Sequence, residues 1–324
     1  MHRREFIALL GAAAICPRAV AAQPKTYRVG LLAGAVAPAE NSPLGAALIR
    51  VLAERGYETG KNLAFERRGA GGQLDRLPQL LAELAASKVD VIVTNGYPAA
   101  LAAKQAGVAP VVSVNAGDPV ATGLVASLAH PGGNLTGISD VSAEVTPKRL
   151  ELLKEMAPEM RRVAVLWNAD DLGMTLRYRA SEAGAQALGV QIQPVGVREP
   201  NDFEQAFEAM NRDRPDAILM VTDSLTLLNR KRVFDYAAAQ RLPAIYEFDF
   251  LVRDGGLMSY GPDERESFSR VAALVDRILK GAKPADLPFE QPTLFRFALN
   301  LKTAGALGLA VPQSLLQRAD EVVE

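Results

Sequence analysis

The sequence predicts an α/β protein built as two doubly wound parallel-sheet lobes with a ligand cleft between them. Short apolar runs rich in β-branched residues alternate with longer amphipathic ones along most of its 324 residues, the pattern of repeated strand–helix units. The Gly/Pro-rich stretch Pro131-Gly132-Gly133-Asn134 divides the alternation into two similar series. The residues after the strands are small or polar, which suits the carboxyl-end crevice where open α/β sheets hold ligands.

The chain opens on a segment of a different kind. Arg3-Arg4-Glu5-Phe6-Ile7, the apolar run from Ile7 to Ile15 and the small residues Ala19-Val20-Ala21-Ala22 follow the three-part layout of an export signal, Tat or Sec, cleaved near Ala22. The apolar run is shorter than the about 20 residues that span a bilayer, so residues 1–22 are read as a removed signal and not an anchor. Ile15 is too bulky ahead of Cys16 for a lipidation site. Cleavage takes the formal net charge from −1 to −3 and leaves no cysteine and a single histidine, His130. A chain of that composition has no disulfide, thiol nucleophile or Cys/His metal cluster, and no basic face for nucleic acid. No cofactor and no membrane insertion after cleavage are expected.

In the first series, residues 27–32, 62–67, 89–94 and 111–114 read as strands, and 44–55, 74–86 and 99–106 as helices. Pro78 belongs in the first turn of its helix or at a kink. In the second series, residues 163–167, 190–194, 217–221 and 244–246 are the strands, with helices over 147–156, 174–188, 202–211 and 225–240. Each strand feeds a turn and a helix, and right-handed connections of this kind build parallel sheets covered on both faces. A short strand after Gly255-Gly256, a helix from about 264 to 279 and a strand over 294–299 complete the chain.

The strand ends name the candidate site. Thr94-Asn95-Gly96-Tyr97 and Asn115-Ala116-Gly117-Asp118 end strands of the first series; Asn168-Ala169-Asp170-Asp171, Thr222-Asp223-Ser224 and Tyr246-Glu247 end strands of the second. Asp118, Asp223 and Glu247 offer carboxylates to an ammonium group, while helix starts at Tyr97 and Ser224 offer backbone N–H groups to a carboxylate. Capping of a turn or helix is the competing role for each of these residue types. Tyr97, Trp167 and Tyr246 are candidate flat walls, with core packing favoured for Trp167. The segment Gly56-Tyr57-Glu58-Thr59-Gly60-Lys61-Asn62 fails as a phosphate loop in both glycine spacing and its final residue, and no Gly-x-Ser-x-Gly elbow occurs.

Several ordered motifs carry a family resemblance. They include Gly117-Asp118-Pro119-Val120, His130-Pro131-Gly132-Gly133-Asn134, Lys148-Arg149-Leu150-Glu151-Leu152-Leu153, Pro243-Ala244-Ile245-Tyr246-Glu247, Gly255-Gly256-Leu257-Met258-Ser259-Tyr260-Gly261 and Asn300-Leu301-Lys302-Thr303-Ala304. Over nearly its whole length the chain resembles the bacterial ABC-transporter substrate-binding proteins of the tryptophan/tyrosine type. The resemblance implies a type-1 periplasmic-binding-protein fold whose chain crosses between lobes three times, a multi-crossover hinge. On that basis residues 23–140 with 258–290 are assigned to one lobe, and 141–257 with 291–324 to the other. It also implies a periplasmic, non-enzymatic, monomeric receptor that binds a small polar molecule such as an amino acid and delivers it to an ABC permease and its ATPase. Thr94, Asn95, Asp118, Asn168 and Asp223 are then the ligand contacts, with Ser224, Tyr246 and Glu247 beside them. The turn Ala33-Gly34-Ala35-Val36 departs from the family's Ser/Thr-rich pattern. A sensor component docking on a receptor kinase would use the same cleft, and an exported enzyme using Asp118 and Glu247 is a third reading.

Overall fold

The computed structural model describes residues 25–324, so the expected export signal lies outside the described residues. Two sheets organise the chain. The first has the order β2-β1-β3-β4-β5 and is parallel throughout, from β1 (Tyr27–Ala33), β2 (Leu63–Gly69), β3 (Val91–Asn95), β4 (Val111–Val114) and β5 (Leu135–Ile138). Alternation along these strands sends Val29, Leu31, Val93 and Val112 to one face and Leu32, Ile92 and Val111 to the other. The first face is covered by α1 (Pro43–Ala53), and the second by α2 (Leu77–Ala86) and α3 (Tyr97–Ala106). Ser42 caps α1 by accepting the Gly45 N–H, and Pro78 falls in the first turn of α2, where its missing N–H costs nothing.

The second lobe begins with α4 (Ser142–Met156) and holds β6 (Arg162–Asn168), α5 (Leu172–Ala187), β7 (Gln191–Val197), α6 (Asp202–Arg212), β8 (Ala217–Met220), α7 (Ser224–Leu228), α8 (Arg230–Gln240), β9 (Ala244–Tyr246) and α9 (Asp249–Arg253). Its sheet runs β12-β11-β10-β9-β8-β6-β7, completed by β10 (Met258–Pro262), β11 (Phe295–Asn300) and β12 (Glu321–Val323). The long helix α10 (Glu264–Leu279) returns to the first lobe, where Phe268, Val271 and Val275 join the core over β3 and β4. The helices α11 (Leu301–Leu307) and α12 (Gln313–Arg318) close the second lobe.

Three expectations are corrected. Residues 258–262 do not belong with the first lobe: Met258 and Ser259 pair with Ile245 and Tyr246, placing β10 in the second sheet. That sheet is not wholly parallel, because β10 and β11 run antiparallel. The helix expected over 225–240 is two helices, parted at Asn229, whose side chain turns back to donate to the Leu225 carbonyl at 2.9 Å.

The chain passes between the lobes at three places that lie side by side. Ser139 N–H donates to the Glu290 carbonyl at 2.8 Å, and Asp263 N–H to the Leu294 carbonyl at 2.9 Å. At the first crossing Val141 has φ 42°, a left-handed conformation that β-branched residues avoid. Among the described residues no helix is long and apolar enough to cross a membrane.

Candidate ligand site between the lobes

The carboxyl ends of the two sheets face one another across a closed cleft. A Cβ at Gly34, after β1, would meet Ser224 Oγ at 2.7 Å, and one at Gly117, after β4, would lie 3.6 Å from Gly173 Cα. A Cβ at Gly173, in α5, would lie 3.6 Å from both the Ala116 carbonyl and Tyr97 Cβ. Small residues therefore stand where the lobes touch, and glycine at these places permits the approach.

On the first lobe, Gly96 at φ 92° turns β3 directly into α3 and leaves the first N–H groups of that helix without a side-chain cap. Asn95 Oδ1 accepts from Asn115 Nδ2 at 3.1 Å, joining the ends of β3 and β4, and Asn115 itself is left-handed at φ 56°. Thr94 is fully buried, with a hydroxyl that has no hydrogen-bond partner. Asp118 closes its own turn by accepting from Val120 and Ala121 N–H at 2.9 and 3.0 Å, the capping role.

On the second lobe, two aspartates begin the helices that point at the cleft. Asp171 caps α5 through Met174 N–H, and Asp223 caps α7 in a reciprocal box with Thr226. Asn168 Nδ2 donates to Asp223 Oδ2 at 2.7 Å, holding that carboxylate toward β6. Asp171 is 2% exposed; burial first, then the charge of Asp223, push its carboxyl up to about 6. It reaches across the cleft electrostatically, raising the Tyr97 hydroxyl further after burial.

Behind these rims lies a network of four buried charges. Arg177 on α5 donates from Nη1 to Glu247 Oε2 at 2.7 Å and from Nη2 to Asp140 Oδ2 in the first crossing. Arg149 on α4 donates from Nη1 to Glu247 Oε1 at 3.3 Å, from Nη2 to Ser142 Oγ at 2.8 Å and from Nε to the Tyr260 carbonyl at 2.6 Å. Asp140 also accepts the Gly117 N–H at 3.2 Å, which ties the network to the first lobe's rim. Each charged side chain is 2% exposed or less. Paired and hydrogen-bonded charges tolerate such burial, whereas a lone one does not.

Thr94, Asn95, Asn168, Asp223 and Ser224 stand at the carboxyl-end rims of β3, β6 and β8, Thr94 fully buried there. Glu247 is committed elsewhere: both its oxygens are taken by arginines and Ser142. Tyr246 also turns away, buried against Phe234 with ring centroids 5.0 Å apart in the second lobe's core. Trp167 is core, stacked on Tyr178 at 3.9 Å. Asp171, Asp140 and Arg177 had no role assigned from sequence.

Comparison with known proteins agrees with this architecture. The model of the ABC transporter substrate binding protein family matches residues 45–323. A tyrosine-binding protein of Clostridioides difficile is 25% identical over 262 residues, covering 81% of this chain and 75% of that protein. A conserved domain protein from Vibrio cholerae superposes with a TM-score of 0.85 at 26% identity, over 92% of this chain and all of that one. A Streptococcus pneumonia domain in complex with L-Trp superposes at 0.84 with 24% identity and the same coverage. With the family model matched over most of its length and the two-lobed fold reproduced, the chain belongs to the ABC transporter substrate-binding protein family.

Proposed function

We propose that this protein is the periplasmic receptor of an ABC importer, that it captures an L-amino acid in the inter-lobe cleft, and that it presents the closed form to a permease and its ATPase. The observation that carries the reading is the meeting of two polar strand-end rims, Asn95 to Gly117 on one side and Asn168 to Ser224 on the other, held shut by the Asp140–Arg177 pair. The uncapped start of α3 suits a ligand carboxylate, since its free N–H groups and helix dipole both favour negative charge. Thr94 and Asn95 stand immediately before that helix. Amino acid as the ligand class is supported by the relatives, one a tyrosine-binding protein and one a complex with L-Trp. Among the described residues no group in the cleft is set against another as nucleophile and base, which favours binding without turnover; the receptor acts as a monomer.

A ligand that touches both rims binds the closed state better and shifts the population toward it. Calorimetric titration of the mature chain with the common L-amino acids, followed by small-angle scattering, tests this. The reading requires at least one to bind and to reduce the radius of gyration; binding without compaction, or no binding at all, refutes it.

A further inference from the structure

Tyr246, turned away from the cleft, lines a cavity of about 450 Å³ in the second lobe, bounded by α8, β9, the Gly255-Gly256 turn and α11. None of the rim residues Asn168, Asp171, Asp223 and Ser224 borders it. Small-molecule sites occupy about 300–1,000 Å³, so the space is of that class. Tyr246 is 1% exposed and forms the floor. Burial alone raises its hydroxyl, with no hydrogen bond and no neighbouring charge contributing, although a buried phenol ordinarily finds a partner. Phe234 of α8 meets the Tyr246 ring edge-on with centroids 5.0 Å apart, and Leu228 and Leu257 extend the apolar wall. The turn beside the ring has to be glycine: a Cβ at Gly256 would meet Tyr246 Cε2 at 2.7 Å, and Gly255 has φ 117°.

The mouth is cationic. Arg230 and Lys231 stand in the first turn of α8, which has no acidic residue and no side-chain cap from Asn229, so the helix dipole adds to their charge. Asp254 answers Arg230 at 2.8 Å and Asp235 answers Lys231 at 2.7 Å. Lys302 of α11, exposed at the same mouth, has no ion-pair partner among the described residues. Three cations against two carboxylates leave one positive charge unanswered.

We propose that this cavity is a second ligand site, separate from the inter-lobe cleft, and that it takes a small aromatic carboxylate bearing an oxygen at the end of the ring away from the carboxylate. The carboxylate meets Lys302 and the start of α8, the ring lies against Phe234 and Leu257, and the far oxygen accepts the Tyr246 O–H. Each part of such a molecule answers something the fold leaves open: an unpaired ammonium at the mouth, an aromatic wall, a buried donor on the floor. A cationic ligand would meet the net positive mouth, and a wholly apolar one would seal the Tyr246 hydroxyl away from water without a partner. The site makes no use of lobe closure, so it stands whatever the cleft binds.

The test is calorimetric titration of the mature chain with 4-hydroxybenzoate, set against the neutral 4-hydroxybenzamide and the hydroxyl-free benzoate. The first should bind more tightly than either of the others. Lys302→Gln, at an exposed position, should weaken 4-hydroxybenzoate roughly tenfold and leave the amide unchanged. Tyr246→Phe keeps the ring and removes only the hydroxyl, so it should erase the preference for 4-hydroxybenzoate over benzoate. Ala306→Trp fills the mouth from an exposed position on α11 and should abolish binding, with melting confirming that each variant folds. No binding of 4-hydroxybenzoate at millimolar concentration overturns the inference. So does an affinity within twofold of wild type in Ala306→Trp or in Lys302→Gln, which would move the acid to the cleft or to the open surface. These variants leave the rim residues intact, so failure here leaves the reading of the cleft standing.

Discussion

Replacing Asp171 by Asn should stabilise the protein. The carboxyl is raised from 3.8 to about 6 in the closed protein, so its ionised form is penalised there relative to the unfolded chain. About two units at ~1.4 kcal/mol each put the cost at about 3 kcal/mol once the group is ionised in both states. The sign follows from proton counting. Between pH 4 and 6 the native state holds more protons than the unfolded one, so the stability of the wild type falls as pH rises through that window, and the full penalty applies above it. Asn carries no charge and escapes the penalty, and as an N-cap residue it serves α5 about as well as Asp. Urea unfolding of both proteins at pH 7.5 and pH 4 reads the difference. The variant should be more stable by up to about 3 kcal/mol at pH 7.5, with the advantage shrinking toward zero at pH 4. An Asn variant that is no more stable at pH 7.5, or one whose advantage persists at pH 4, would refute the reading of Asp171 as a carboxylate destabilised by burial and the neighbouring Asp223.

Gly34→Val should block closure, because its first side-chain carbon already meets Ser224 Oγ at 2.7 Å; scattering should then show no ligand-dependent compaction, with the unfolding midpoint little changed. Arg177→Met leaves Asp140 and Glu247 buried beside a neutral side chain and should cost about 3–5 kcal/mol in denaturant unfolding. Glu264, at the start of α10, has its carboxyl pushed up to about 8 by burial and then by Asp249 and Asp263. Its contribution therefore makes wild-type stability fall as pH rises from about 4.5 to 8, a slope that Glu264→Gln should flatten in melts across that range.

The strand–helix alternation was readable because the central strands β1, β3, β4, β6 and β8 are compact runs of buried residues rich in Val, Ile and Leu, the pattern of a strand covered on both faces. β5 was hidden. It is only Leu135-Thr136-Gly137-Ile138, follows two glycines and carries a third, which is there because a Cβ at Gly137 would meet the Ser113 carbonyl at 2.1 Å. The rims were partly legible, since polar residues after apolar strands mark the crevice; their occupancy was not. Asp118 and Glu247 have the same local signature as Asp223, and only the assembled fold shows one folded back on its own turn and the other locked to arginines. Arg177 and Arg149 read as ordinary polar positions on helices, because the carboxylates they meet lie 37 to 98 residues away along the chain. The place of β10 followed from the same limit: a strand's sheet is decided by its partners, which sequence alone does not list.

The four charges of the Asp140–Arg149–Arg177–Glu247 network sum to zero and lie out of reach of water. Dissolved ions screen exposed charges over about 8–10 Å but have little purchase on a buried, neutral set. The fastening between the lobes should thus hold with similar strength in dilute and in salty surroundings. A binding protein built this way can keep its capture of ligand steady as ionic strength changes.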